Sequence, residues 1–542
     1  MSKKNSIVEL EVANVDENKT ESSPEVVTTL EDIECFPVFS RPLIPLLGSC
    51  FLVYFVSTTT GFDGSLMSSI YTQDDYLARF NLDIDSSTGT GLVFSIYNIA
   101  QVVAAFFCPL IDYLGRKKLI MVGCLGIVVG GVITAVAQSV GTLIAGRFFL
   151  SFFTTLANSA SSLYVTEIAP PNARARVAGC YNTLWYCGSI LAAFTAFGAN
   201  RYHAGSELSF RLPLGMQCVF PGIVVIFGWL IPESPRWLVG VGKVEEAKRV
   251  ITKYHCNGDE THPLLNFEIA EIQASFEMGN LEDPKKLLDL RPIFKNNNAY
   301  RSLLVIGMAW FGQFSGNNCN SYYLPTMLRK VGIKSISKVV LMNAAYSIMS
   351  WVASIAGALT HEMAGRRKMF MFSTLASATA LAGLAVSTAR YMATEANAAS
   401  QSALAFVFLF GILFSFGFTP MQVVYPAEVS SNALRSRSFV VLNIVSGAAQ
   451  FINQFVTPTA MKNISYWFYV FYVFFDIFEF LVVYFFFVET KGKTLEEMDE
   501  IFAAKNPRKA SVGNYEDENE KSKQAIQAVA QRFAQNKAEQ NV

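Results

Sequence analysis

Two charged residues stand inside long apolar stretches of the chain, Asp63 in Gly61-Phe-Asp-Gly64 and Arg147 in Ala145-Gly-Arg-Phe-Phe149. Charges within a membrane are costly, and those that persist there are usually paired and functional. Arg147 precedes Glu167 by 20 residues on one apolar run, about 30 Å at about 1.5 Å per residue. Asp63 lies about as deep on a span running outward. The two can therefore pair near the outer face. The bland alternatives are a static ion pair and an Asp in an outer loop. Amides form a second group. Gln313, Asn318 and Tyr322 fall on one helical stripe, and Asn182, Asn343, Gln422, Asn453 and Gln454 sit in other apolar runs. Neutral donors and acceptors in an apolar cleft suit an uncharged polar ligand; an amide can also simply bond a neighbouring helix.

A third group recurs. Asp112-Tyr-Leu-Gly-Arg116 returns as Glu362-Met-Ala-Gly-Arg366, an offset of 250 from 112 to 362. Glu167 with Arg174 and Arg176 returns as Glu428 with Arg435 and Arg437, an offset of 261 from 167 to 428. Glu233-Ser-Pro-Arg236 is matched by Glu489-Thr-Lys-Gly492, an offset of 256 from 233 to 489. Arg–carboxylate pairs at helix ends can be bidentate and partly desolvated. They are read as a cytoplasmic gate that ties the two halves together when closed. The alternative is that they only set topology.

These groups must be held by membrane helices. The 542 residues are 52% hydrophobic and only 16% charged, with 45 Phe, against about a quarter charged in soluble domains. That composition argues against a soluble enzyme, a disordered chain or a nucleic-acid binder. Lys+Arg and Asp+Glu are both 43. Runs of about 20 apolar residues mark a span, and twelve are predicted: 43–66, 91–111, 118–138, 142–164, 177–198, 212–231, 302–325, 338–360, 369–388, 403–426, 438–458 and 465–487. The fold class is an all-α membrane protein with twelve transmembrane helices in two six-helix halves. The expected organisation is a polar tail over 1–42, a first half over 43–235, a linker over 236–300 with short amphipathic helices, a second half over 301–490 and a tail over 491–542. Basic clusters in the short loops place those loops and both termini in the cytoplasm. Duplicated six-span halves are the architecture of alternating-access transporters.

Nine cysteines form no Cys-x-x-Cys pair, so no metal site is expected, and no cofactor motif or nucleophile constellation points to an enzyme. The four histidines fall in or near predicted loops and are expected to be solvated. Arg508-Lys-Ala-Ser511 has the spacing of a basophilic kinase site, a pattern short enough to recur by chance.

Over about 43–505 the chain resembles the sugar porter branch of the major facilitator superfamily. The resemblance rests on Gly61-Phe-Asp-Gly64, Asp112-x-x-Gly-Arg-Lys117, Arg147, Glu167-Ile-Ala-Pro170, Pro232-Glu-Ser-Pro-Arg-Trp237, Gln313-x-Ser-Gly-x-Asn318 with Tyr322, Gly365-Arg-Arg367 and Glu489-Thr-Lys-Gly492. Longer stretches are similar to fungal lactose permeases and cellodextrin transporters: Tyr181-Asn-Thr-Leu-Trp185, Lys253-Tyr-His-x-Asn-Gly-Asp259, Phe311 to Asn318 and Tyr466 to Asp476. The resemblance implies a plasma-membrane proton symporter for a disaccharide, lactose first and cellobiose as the close competitor, acting as a monomer in the bilayer. It assigns Asp63 to the proton and Arg147 to tuning it. Asn182, Gln313, Asn318, Tyr322, Asn343, Gln422, Val423 and Asn453 would bind the sugar. Three positions are smaller than in hexose porters, Asn182, Gly312 and Val423, which would make room for a second ring. An uncoupled hexose or pentose facilitator and a transport-dead sugar receptor are the alternatives.

Overall fold

The computed structural model describes residues 44–70, 73–81, 90–170, 174–278, 289–295, 297–317, 336–430, 435–493, 495–504 and 506–512. Every regular element among them is helical. Twelve long helices carry the architecture. In the first half these are α1 (Ile44–Ile70), α2 (Thr90–Ala105), α3 (Arg116–Ala135), α4 (Val140–Ile168), α5 (Arg174–His203) and α6 (Leu208–Leu230). In the second they are α7 (Asn297–Phe314), α8 (Ile336–Ala364), α9 (Arg366–Thr394), α10 (Asn397–Val429), α11 (Arg435–Asn463) and α12 (Trp467–Phe486).

Nine of these helices are long and apolar enough by themselves to cross a membrane. The other three are α2, α5 and α7. The helix α2 is 16 residues long. Beyond Ala105 the chain continues in tight turns, with Phe107 N–H donating to Ala104 at 2.9 Å, and resumes as a helix at Leu110–Leu114. Pro109 has no N–H to continue the ladder there. The predicted span 91–111 is thus a helix, a turn and a second short helix. Elsewhere the helices outrun the predicted spans, as α5 (Arg174–His203) does 177–198. The apolar run marks the thickness of hydrocarbon, while backbone hydrogen bonding carries on into flanking polar residues. The predicted span 302–325 begins as α7, and its part beyond 317 lies outside the described residues.

Packing repeats with a period of six helices. The helix α1 lies on α5, α2 on α4, and α3 on α4 and α6; likewise α7 lies on α11, α8 on α10, and α9 on α10 and α12. The halves meet along α2 with α11 and α5 with α8. Where α1 crosses α5, the backbone of Trp185 occupies the space that a Cβ on Gly61 would need, and the backbone around Thr58 and Phe62 does the same at Gly188. The core of the second half is aromatic: Phe414 and Phe418 stack at 4.9 Å, and Tyr425 and Phe487 at 5.2 Å. Large apolar side chains such as Trp229 and Phe474 are exposed on the outside, the shell that lipid covers.

Short helices gather at the end of the bundle that carries the repeated motifs: Pro235–Gly240, Val244–Tyr254 and Pro263–Met278 after α6, then Leu495–Ala503 and Pro507–Val512 after α12. The Ser234 hydroxyl caps the first of these with Pro235 at its opening position. Two histidines differ from expectation. His255 is buried: its Nε2 lies 2.9 Å from the Ile168 carbonyl at the end of α4, and its Nδ1 lies 2.8 Å from Glu268. His361 is fully buried on α8 and packs beside Gly179 of α5. Polar residues near a helix end look solvated in sequence, but neighbouring elements cover these two.

Candidate functional site

Asp63 and Arg147 come together at the interior of the first half. Arg147 Nη1 lies 3.8 Å from Asp63 Oδ1, and both side chains are almost entirely buried. Gln217 Nε2 donates to the same carboxylate oxygen at 2.9 Å. Tyr97 is within hydrogen-bonding reach of Asp63, and its ring lies under the Arg147 guanidinium at 5.7 Å. Arg147 Nε also donates to the Val93 carbonyl at 3.2 Å. A 3.8 Å separation is loose for an ion pair, so the guanidinium is shared among a carboxylate, a carbonyl and a ring face. Sequence reasoning missed Gln217 and Tyr97. The signal for Gln217 is an amide placed between the two segments of α6, Leu208–Met216 and Val219–Phe227.

Tyr97 also lines the central cavity. This space of about 180 Å³ is walled by both halves: Thr60 and Gly64 of α1, Tyr97 and Gln101 of α2, Thr154, Thr155 and Asn158 of α4, Asn182 and Trp185 of α5, Met308, Ala309 and Gln313 of α7, Gln422 of α10, and Leu442, Asn443, Ser446 and Gln450 of α11. Among the described residues the lining is amides, hydroxyls, two aromatic rings and the apolar Met308, Ala309 and Leu442, with no carboxylate, amine, guanidinium or imidazole. Gly64 on this wall follows Asp63 directly, so carboxylate and cavity share one turn of α1.

Of the predicted binding residues, Asn182, Gln313 and Gln422 line the cavity. Asn182 Nδ2 donates to the Thr419 carbonyl across the halves at 2.5 Å. Asn453 stands one layer behind: its Nδ2 holds the Gln313 carbonyl at 3.0 Å, and its Oδ1 accepts from Tyr472 at 3.0 Å. Gln454 is buried in a link between the halves, accepting from Asn98 Nδ2 at 2.8 Å. Asn343 is buried in α8 and does not stand among the described residues that line the cavity. Asn318 and Tyr322 lie outside the described residues, as do the side chains of Arg174, Glu362 and Val423. Gly312 opens no space here: Gln422 Nε2 sits 2.9 Å from where its Cβ would be. The wall residues that sequence reading missed are polar stripes at helical spacing, such as Asn443, Ser446 and Gln450 on α11.

At the motif-bearing end, each half closes on itself. Arg116 grips Glu167 with Nε and Nη2, both at 2.9 Å, and lies 3.3 Å from Asp112. The Ser234 hydroxyl donates to Glu167. Glu233 accepts the N–H groups of Arg116 at 3.0 Å, Lys117 at 3.1 Å and Ser234 at 3.0 Å. Burial pushes the Glu233 carboxyl up, against the pull of these donors and of Arg116. The second half repeats the plan. Arg366 grips Glu428 at 3.2 and 2.7 Å, and the Thr490 hydroxyl donates to Glu428. Glu489 accepts from the N–H groups of Arg366 at 2.8 Å and Arg367 at 3.2 Å. Each carboxylate rests on a glycine with positive φ, Gly115 at 91° and Gly365 at 88°. A Cβ on either would lie 2.7 Å from a carboxylate oxygen of Glu233 or Glu489. The ion pairs Arg116–Glu167, Arg116–Asp112 and Arg366–Glu428 each close within one half. Arg435 of α11 does reach Glu167 electrostatically across the divide. Arg236 is also buried at this end.

Deep in α12, Asp476 and Glu479 are fully buried. Neither carboxylate has a hydrogen-bond partner among the described residues.

Comparison with known proteins places these features in a family. A family model described as "Sugar (and other) transporter" matches residues 49–502. Among similar proteins, an MFS-type transporter (criB) of Aspergillus cristatus is 28% identical over 82% of this chain and 90% of its own length. A high-affinity glucose transporter of Kluyveromyces lactis is 24% identical over 88% and 89%, and a quinate permease of Neurospora terricola is 27% identical over 83% and 87%. Among solved structures, the proton:xylose symporter XylE bound to 6-bromo-6-deoxy-D-glucose has a TM-score of 0.74 at 19% identity, covering 84% of this chain and 99% of that one. An inward-open form of XylE from E. coli has a TM-score of 0.66 at 18% identity, covering 84% and 99%.

Proposed function

Because the chain belongs to the sugar (and other) transporter family of the major facilitator superfamily, we propose that it imports a disaccharide together with a proton by alternating access, lactose first and cellobiose as the competitor. It is a multi-pass membrane transporter and not an enzyme. The observation that carries the proposal is the position of Asp63 beside a neutral cavity shared by the two halves. Hydroxyls of a sugar find amide partners there, and Trp185 and Tyr97 offer faces to a ring. Tyr97 touches both the carboxylate and the cavity, so occupancy of the cavity can bear on the proton through one side chain.

In this reading Asp63 takes a proton from outside while the cavity admits sugar. Protonation removes the charge that holds Arg147 and Gln217 at Oδ1, and the halves then rock about the cavity. The chain sits in the plasma membrane as a monomer, with both termini and the two Arg–Glu clusters on the cytoplasmic side. Arg174 and Glu362 belong with those clusters, and Asn318, Tyr322 and Val423 with the sugar site.

A hexose-sized substrate is the second reading. Two features favour it: the cavity is about 180 Å³, below the roughly 300 Å³ of common ligand pockets, and Gln422 fills the space beside Gly312. The deciding experiment is uptake of labelled lactose, cellobiose and glucose in transporter-null yeast, with external pH followed. Disaccharide accumulation with alkalinisation of the medium supports the first reading. Glucose equilibration without proton movement supports the second. Sugar binding without transport of any of the three leaves a receptor.

A further inference from the structure

The tail helix Pro507–Val512 is docked on the second gate cluster by the side chain of Ser511. Ser511 is buried, and its Oγ accepts the Glu489 backbone N–H at 3.1 Å while donating to the Arg508 carbonyl at 2.8 Å. Glu489 is the residue whose carboxylate gathers the N–H groups of Arg366 and Arg367. Arg508 lies over the Tyr484 ring at 5.1 Å, and Arg367 over the same ring at 5.5 Å. Asn506 opens the helix by accepting the Lys509 N–H at 3.3 Å. The hydroxyl is therefore covered, whereas Lys509, two residues before it, is exposed. The spacing Arg508-Lys-Ala-Ser511 places cations at the third and second positions before a hydroxyl, the pattern a kinase with an acidic substrate groove reads.

We propose that Ser511 is a phosphorylation site for such a basophilic kinase, hidden while the tail helix is docked and exposed when it lifts from Glu489. The co-substrate is ATP. Its γ-phosphoryl group passes to Ser511 Oγ; the O–H bond breaks, an O–P bond forms, the proton goes to the kinase's base and ADP departs. The modified residue cannot return. Both hydrogen bonds of the hydroxyl are in use, and a phosphate brings about two negative charges beside the Glu489 carboxylate. Among the described residues a short helix is held by the Ser511 hydroxyl, Arg508 over Tyr484 and Ala510 against the second-half core, the kind of segment that opens locally without global unfolding. Phosphorylation thus records that the tail has lifted, and keeps it lifted.

The test uses the purified full-length protein in detergent, a basophilic kinase and labelled ATP. Label should map to Ser511 and vanish in Ser511→Ala. Tyr484→Leu removes the ring beneath Arg508 and should speed labelling about threefold, the shift that loss of one cation–π contact brings. Label that persists in Ser511→Ala, or that fails to reach native Ser511 while the denatured chain is labelled, overturns the site. Trypsin supplies a second readout: cleavage after Arg508 and Lys509 should be severalfold faster once Ser511 is phosphorylated. Equal rates overturn the release.

Discussion

At the motif-bearing end of the bundle, the two halves are built from the same parts and finished differently. In both, a glycine with φ near 90° seats a glutamate that collects consecutive backbone N–H groups, and an arginine from the same turn grips a second glutamate. The first-half grip is dry: the Glu167 side chain is 4% exposed, and both of its bonds to Arg116 are 2.9 Å. The second-half grip is wetter and uneven, with Glu428 23% exposed and bonds of 3.2 and 2.7 Å. The interiors diverge further. The first half holds an acid beside a cation, Asp63 and Arg147, and the second holds two acids on α12. Backbone geometry and N–H donors are independent of most side chains, so a duplicated turn keeps them. Burial and counter-charge depend on what packs around the turn, and there the copies have parted.

The sharpest way to break the comparison is to neutralise one acid in each interior. Asp63→Asn should abolish accumulation of sugar against a gradient and its accompanying proton uptake, while exchange persists. Asp476→Asn should leave accumulation intact, since α12 is absent from the described lining of the cavity. Labelled-sugar accumulation in energised cells measures both, and continued accumulation by Asp63→Asn removes that residue from coupling. Next in size is the pair of grips. Glu167→Gln removes the buried partner of Arg116 and leaves it only the more exposed Asp112 at 3.3 Å, at a cost of about 3 kcal/mol. Glu428→Gln should cost about 1–2 kcal/mol because water already screens it. Thermal unfolding in detergent reads the difference; equal losses would mean exposure does not distinguish the two halves.

Smaller and symmetric effects are expected at the glycines. Gly115→Ala and Gly365→Ala each force a Cβ toward a carboxylate oxygen at positive φ, and each should cost about 1–3 kcal/mol. Similar melting shifts would confirm that the shared part of the two halves is the backbone. The smallest change concerns the cavity. Gln422→Ala vacates the space against Gly312 and should raise disaccharide uptake relative to hexose, read as a ratio of initial rates. A lowered ratio would make Gln422 a ligand for the second ring and not an obstacle to it.

Much of this was legible in the sequence. The twelve helices follow from apolar run lengths, and the three recurrent motifs reveal the duplication. Asp63 and Arg147 stood out because a charge inside a span has few alternatives to a partner. The failures have physical causes. His255 and His361 sit near helix ends, where sequence suggests water, but short helices after α6 and the neighbouring α5 cover them. For the repeated charges, motif order shows only that they share an end. Which partner each arginine takes depends on distances of a few ångströms, and those are set by packing.

The acids of α12 bear on how the chain is made. Synthesis reaches α12 last among the spans, and its sequence Trp467-Phe-Tyr-Val-Phe-Tyr-Val-Phe-Phe-Asp476 is strongly apolar apart from Asp476 and Glu479. Near the centre of a lone helix an acid adds about 2.5–3.5 kcal/mol to the free energy of entry through the translocon. Both acids lie on the face that packs into the second half, with Tyr472 and Val483, while Phe474, Phe478 and Phe485 point outward. The outward face can satisfy the bilayer at once, but the acidic face is sheltered only when α9 is already in place beside it. Entry of the last span is therefore coupled to assembly of those before it. A chain whose second half has not assembled presents two carboxylates to lipid, a lesion that membrane quality control can recognise before the transporter leaves the site of synthesis.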